Sequence, residues 1–213
     1  MEVELQFVYR GGGPLVVPTT LADLELSRSR AGVLLDTYFD TPALDLRRAG
    51  CSLRVRQSEH MVRALLTFKG PSRRHGGAKR RHETELAIDS LPADADEMGC
   101  LLHEVRLDLV VRRLAGLGKD FSPQPIGQLR NRRSQHRYEH GLHSLELTWD
   151  ELEFPTGAPQ IRLEVEARSK LAERLLKQAD AELRELHGEC LVAPERGKTR
   201  ELCERLYPEL LAA

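Results

Sequence analysis

The chain has 213 residues, of which 40% are hydrophobic, so it is long and apolar enough for one large domain or two small ones. Charged residues make up 31% of the sequence, yet the net charge is only -1. This balance argues against a protein that simply coats nucleic acid, which would be basic overall. The sequence shows no signal-peptide pattern, no apolar run of membrane length and no CxxC pair. From this we expect a cytoplasmic protein with reduced thiols.

Alternation of polar and apolar residues predicts strands over most of the first two-thirds of the chain. In chain order these strands are Glu2–Phe7, Ser52–Arg56, Leu65–Lys69, Arg81–Leu86, Leu145–Asp150 and Gln160–Glu166. Helical spacing of apolar residues predicts helices over Thr20–Leu26, Glu97–Leu117, Ser169–Leu186 and Lys198–Leu206. The basic segment Gly70–Lys79 is interpreted as a loop, which is either a mobile lid or an ordinary solvated hairpin connection.

Residues two apart on a strand share a face, and the charges of this chain separate by sign on those faces. Glutamates recur at i and i+2 on three strands, whereas Arg54 and Arg56 share the face of another strand and Lys69 lies on a further one. An ordinary solvated sheet face explains any single strand, but a face built for stability alone would mix the signs. Segregated charges are what a site for both a polyanion and divalent cations needs.

A linear triphosphate accounts for these residue types. Arginine forks and lysine ammonium groups bind phosphate oxygens, and Mg²⁺ or Mn²⁺ prefers carboxylate together with phosphate oxygens. The sequence contains no G-x-x-x-x-G-K-[ST] loop and no G-x-G-x-x-G turn, so the common nucleotide-binding loops are absent.

Several motifs in the same order carry a family resemblance. The stretch Tyr38–Pro42, followed by Leu53–Arg56, Thr67–Gly70, Arg81–Glu85 and Glu164–Glu166, resembles the CYTH superfamily of triphosphate tunnel metalloenzymes. That group includes inorganic triphosphatases, thiamine triphosphatases and class IV adenylyl cyclases. The resemblance implies an α+β fold, a closed antiparallel β-barrel of about eight strands with helices packed outside, formed by one domain over residues 1–213.

The resemblance also implies roles for individual residues. The implied metal ligands are Glu2, Glu4, Glu83, Glu85, Asp150, Glu164 and Glu166, holding Mg²⁺ or Mn²⁺. The implied phosphate-binding residues are Arg54, Arg56, Lys69, Arg81, Arg133 and Lys198, with Arg132 as the alternative to Arg133 for the tunnel arginine. Catalytic roles are implied for Glu4, Lys69 and Lys198.

One position departs from the family pattern, because the third place of its E-x-E-x-K signature is Gln6 here. The substitution removes one cation, so we expect a weaker grip on phosphate. Ser52 stands where a vertebrate-type thiamine triphosphatase has a tryptophan, and it offers no stacking surface.

These observations predict metal-dependent hydrolysis of a linear triphosphate, with inorganic triphosphate or a short polyphosphate favoured. A class IV adenylyl cyclase, a thiamine triphosphatase and a non-catalytic module that binds polyphosphate or RNA remain alternatives. The expected partner is a small molecule that contains a triphosphate. We expect no membrane or nucleic-acid partner, and a homodimer is a candidate assembly.

Overall fold

The computed structural model describes residues 2–13, 15–75, 78–118 and 120–210, apart from the side chains of Glu2, Arg74 and His75. The strands are β1 (Glu2–Tyr9), β2 (Thr20–Leu21), β3 (Leu24–Asp40), β4 (Ser52–Ser58), β5 (Ala64–His75), β6 (Ala78–Ile88), β7 (Gln124–His140), β8 (His143–Glu153), β9 (Gln160–Ala167) and β10 (Leu191–Val192). The α-helices are α1 (Asp45–Arg48), α2 (Ala95–Glu104), α3 (Asp108–Ala115), α4 (Leu176–His187) and α5 (Lys198–Leu206).

Eight strands close into an antiparallel barrel in the order β1, β6, β5, β4, β3, β7, β8 and β9, and β9 pairs back with β1. The closure confirms the predicted α+β barrel with helices outside. Because side chains alternate across each strand, one face of every strand points into the barrel and the other points outward.

The apolar faces of the strands point outward and are covered in three places. Val3, Leu5 and Phe7 of β1 belong to a cluster that includes the apolar stripe of α4. The outer faces of β4 and β5 pack with α2 and α3, and the ends of β3, β7 and β8 pack with α5. The apolar core of this protein therefore lies between the barrel and the helices, and the barrel interior is lined by polar groups. Each fully buried leucine or phenylalanine in this core contributes about 1.5–3 kcal/mol to stability.

Two of the helix predictions need correction. Residues Thr20–Leu26 form β2 and the start of β3, joined by a tight turn in which Ala22 and Asp23 have φ values of 51° and 62°. The predicted helix Glu97–Leu117 is two helices, because Arg106 has a φ of 57° and interrupts the helical backbone. The predicted helix Lys198–Leu206 coincides with α5.

The basic segment Gly70–Lys79 is more regular than the loop interpretation implied. Strand β5 continues to His75 and pairs with β6 through Ser72 to His75, after an irregularity that follows Lys69. The segment is therefore mainly a hairpin extension, and it carries Lys79 into the barrel wall.

None of the helices in the described ranges is both long enough and apolar enough to cross a membrane.

Candidate active site

The inward faces of the strands enclose one cavity of about 1170 Å³, which we call the tunnel. Its lining is dominated by charged side chains of both signs. The basic lining residues on the strands are Arg30, Arg54, Arg56, Lys69, Lys79, Arg81 and Arg133. Arg168 directly follows β9, and Lys198 reaches in from the start of α5. The acidic residues are Glu4, Glu83, Glu85, Glu146, Glu164 and Glu166.

Nearly all the residues that the sequence singled out meet in this tunnel. Arg133 lines it, whereas the Arg132 side chain is 55% exposed and pairs with Glu153 at 3.2 Å. Asp150 does not line the tunnel, and the Glu2 side chain lies outside the described part of the structure. The predicted site therefore assembles around a single space, with Arg133 as its β7 arginine.

Asp36 lies fully buried behind the tunnel arginines of β4. Arg56 donates to it through Nε and Nη2 at 2.7 and 2.8 Å, and Arg54 approaches through Nη1 at 3.4 Å. Burial alone would raise the pKa of Asp36, but Arg54 and Arg56 hold that pKa well below its usual range. The carboxylate thus fixes two phosphate-binding candidates in orientation.

Asp150 holds a second group of basic residues, Arg133 and Lys198, in the same way. Arg133 donates to it through Nε and Nη2 at 2.6 and 2.7 Å, Asn131 donates at 2.9 Å, and Lys198 forms a close ion pair. Burial opposes ionisation, yet Arg133 and Lys198 keep the pKa of Asp150 well below its usual value. With its oxygens engaged in this way, Asp150 positions basic groups in the structure, and its metal binding stays a prediction.

Glu164 stands where cations and carboxylates meet. Lys198 Nζ lies 3.0 Å from its Oε1, and the Gln6 amide donates to the same oxygen at 3.0 Å. Burial would raise the pKa of Glu164, but Lys198 and Arg133 lower it to about 2. The carboxylate is therefore charged throughout the physiological range.

The acidic pair of β6 contacts the basic residues of the neighbouring strands. Glu83 pairs with Lys69 at 2.9 Å, and Glu85 accepts a hydrogen bond from the Thr67 hydroxyl at 3.2 Å. That hydroxyl in turn accepts from Arg54 at 3.1 Å. In the structure these glutamates hold the cations of β4 and β5 in place.

Three tunnel glutamates lie side by side across β1, β9 and β8. Glu4 is in register with Glu166, which is in register with Glu146 on the next strand. Neighbouring strands are about 4.8 Å apart, so these side chains present a short row of hard oxygen donors. In their present pairings, with Arg81 on Glu4 and Arg168 on Glu166, no three His, Cys, Asp or Glu side chains of the described residues form a group that could hold a metal ion.

Sequence reasoning missed several of these residues, and Asp36, Glu146 and Lys79 show why. Asp36 is a lone carboxylate in the otherwise apolar-rich strand segment Val33–Phe39, and that anomaly was a usable signal. Glu146 shares the face of Asp150 at an i, i+4 strand spacing, so the alternation already placed it. Lys79 shares the face of Arg81 and Glu83 by the same spacing of two, and it was missed because it lay in the segment interpreted as a loop.

The chain belongs to the CYTH domain family, which it matches over residues 1–195. HpAC1 from Hippeastrum, described as an adenylyl cyclase candidate with a dominant triphosphatase activity, superposes with a TM-score of 0.66 at 22% identity, covering 99% of each chain. PH1819 from Pyrococcus horikoshii gives a TM-score of 0.54 at 20% identity over 94% of this chain and 98% of that one. At these identities the likeness shows the fold, and a comparison with curated proteins gave no match.

Proposed function

We propose that this chain is a metal-dependent triphosphatase that cleaves the terminal phosphoanhydride bond of a linear triphosphate. The observation that carries the proposal is the paired construction of the tunnel, in which buried Asp36 and Asp150 hold arginines and Lys198 around one enclosed space. Cations ordered before the ligand arrives bind a polyanion without a further ordering cost. A sheet that was charged only for solubility would have no use for buried carboxylates behind its arginines.

The carboxylates fit a hard divalent cation such as Mg²⁺ or Mn²⁺. Glu4, Glu146 and Glu166 bring carboxylate oxygens to facing register positions, and Glu164 is two residues from Glu166. Glu2 and Asp150 are further ligands that the family resemblance implies. A bound metal would neutralise negative charge on the phosphate oxygens.

The ion pairs of the tunnel suggest how phosphate and metal sites could form together. Arg81 and Lys198 now pair with Glu4 and Glu164. A triphosphate would draw these basic groups toward its own oxygens, and the carboxylates would then be available to a cation. In this proposal the binding of polyanion and of metal is mutually favourable.

The roles of the chain's own residues follow from their positions. Arg54, Arg56 and Arg133 would hold the phosphate chain through planar forks. Lys69 and Lys198 would stabilise the charge that spreads over the transferring phosphoryl group, and Glu4 would orient the attacking water.

The tunnel lining favours a substrate without an aromatic group. Of the Phe, Trp and Tyr side chains that the structure describes, Tyr38 is the one in the lining, and it is only 3% exposed. Ser52 lines the tunnel with a hydroxyl group. A thiamine ring or a base would therefore find little stacking surface, and we propose inorganic triphosphate or a short polyphosphate as the preferred substrate.

The test compares initial rates of phosphate release from inorganic triphosphate, ATP and thiamine triphosphate, with Mg²⁺ or Mn²⁺ and with excess chelator. We expect the fastest release from inorganic triphosphate and none with chelator. Faster turnover of ATP would contradict the substrate preference, and cyclic AMP with pyrophosphate as products would indicate a cyclase instead. Tight triphosphate binding without turnover would favour the non-catalytic module.

A further inference from the structure

Gln6 occupies the tunnel position at which the family signature has a lysine, and the structure shows what the glutamine does. Its amide nitrogen donates to Glu4 Oε1 and to Glu164 Oε1, each at 3.0 Å. A neutral amide thus bridges two carboxylates, and Gln6 itself brings no positive charge to the site.

A lysine from the adjacent strand reaches the same place. Lys79 lies opposite Glu4 in the pairing of β1 with β6, and its side chain lines the tunnel. The Lys79 ammonium group is 3.4 Å from Gln6 Oε1 and 3.8 Å from Glu4 Oε1. The position of the missing cation is therefore occupied from β6.

Lys79 differs from the other two lysines of the tunnel lining in how well its charge is compensated. Lys69 pairs with Glu83 at 2.9 Å and Lys198 pairs with Glu164 at 3.0 Å, whereas the contacts of Lys79 are both longer. Its side chain is only 15% exposed. A buried ammonium group with long ion-pair contacts gains the most electrostatic stabilisation when a polyanion binds beside it.

We propose that Lys79 supplies the phosphate-binding cation that Gln6 does not. The inference rests on the proposed function, because it assigns a residue to the same triphosphate site. It also implies that the departure at Gln6 leaves the cation count of the tunnel intact. A lysine introduced at position 6 alone would then lie next to the Lys79 ammonium group, and the repulsion between the two charges would leave little gain in phosphate affinity.

The experiment exchanges the two residues. Lys79→Gln should raise the dissociation constant for sodium triphosphate, measured by calorimetry in chelator, by about tenfold or more, since a charged contact to phosphate is lost. Gln6→Lys/Lys79→Gln should return the constant to within about threefold of wild type, and Lys79→Arg should retain most of the binding. Lys177→Gln, on the exposed face of α4, is the matched control.

Thermal unfolding of each variant will show that the fold is retained. Wild-type affinity in Lys79→Gln would overturn the inference, and so would a folded double variant that binds no better than Lys79→Gln. The binding measurement separates this inference from the proposed reaction. If the wild type and the variants bind triphosphate with the expected ranking of affinities but the wild type releases no phosphate, the hydrolysis proposal fails and the assignment of Lys79 stands.

Discussion

Asp36 on β3 and Asp150 on β8, the two strands that flank β7, each hold basic side chains of the tunnel in place. Each is wholly buried, each accepts two hydrogen bonds from one arginine, and each has a second basic neighbour. Removing one partner of a buried pair leaves an uncompensated charge, which typically costs about 3–5 kcal/mol. In the structure both aspartates orient the cations in front of them through these hydrogen bonds.

The first residue-scale prediction concerns these cations. Arg54→Ala and Arg56→Ala should each lower kcat/KM for triphosphate at least tenfold, about 1.4 kcal/mol of transition-state stabilisation. Both arginines line the tunnel, so their loss would remove the proposed phosphate contacts and leave Asp36 with less compensating charge. Arg28→Ala, at an exposed position on β3, is the control and should match wild type. Equal rates for Arg28→Ala and Arg54→Ala would contradict this prediction and would support the alternative that these arginines lie on an ordinary solvated sheet face.

The second concerns acid stability. The pKa of Glu164 falls from its ordinary value of 4.5 to about 2, since Lys198 and Arg133 outweigh burial. A depressed pKa stabilises the fold above the unfolded value, and that stability is lost as pH falls from about 4.5 toward about 2. In chelator, the urea midpoint of wild type should therefore drop more between pH 7 and pH 3 than that of Glu164→Gln.

Glu59→Gln, in the exposed turn after β4, is the control for this measurement and should follow the wild-type midpoint at both pH values. Parallel decreases in wild type and Glu164→Gln would show that Glu164 contributes nothing to the acid transition.

At the scale of elements, α5 is the helix that brings Lys198 to the tunnel. Leu202 and Cys203 bury its apolar side against the barrel. Arg162 of β9 pairs with Glu201 at 2.7 Å and donates to the Arg196 carbonyl at 3.0 Å, so the first turn of α5 and the residues before it are both held to the barrel wall. The position of the Lys198 ammonium group therefore depends on how closely α5 lies on the barrel.

Gly127 of β7 sets that distance. A Cβ there would lie 2.6 Å from Leu206 Cδ1 and 3.4 Å from Leu202 Cδ2, so Gly127→Ala must displace the side chains of α5. We expect a loss of about 1 kcal/mol in the free energy of unfolding, with lower phosphate release because Lys198 shifts. Chemical denaturation and the phosphate assay measure the two effects.

The matched control is Gly99→Ala in α2, where a Cβ would meet nothing within 4 Å. A helix-interior alanine should raise stability by about 0.5–1 kcal/mol without changing turnover. If both alanine variants were equally stable and active, close packing of α5 on Gly127 would not matter to the site.

Alternation predicted six of the eight barrel strands and most of the lining, because a tunnel wall obeys a period of two, but it did not predict β3 or β7. It could place Arg54, Arg56 and Glu164 on inward faces without any knowledge of their neighbours. The role of Asp150 depends on contacts with Arg133 and Lys198, which lie far from it in the chain and which no local pattern encodes. Lys79 was missed because a glycine-rich basic segment has the composition of a loop, whereas its pairing with β1 and β5 shows that it lies in a strand.

At the scale of the whole molecule, the barrel closes around the tunnel only when β1 is in place. Strand β1 pairs with β6 on one side and with β9, about 160 residues further along the chain, on the other. A pairing of such long range forms slowly, because the entropy of closing the intervening chain must be lost first. Until then β6 and β9 present open edges that can join another chain. We therefore expect β1 to be among the last strands to settle, so that the closed tunnel and resistance to aggregation form in the same folding step.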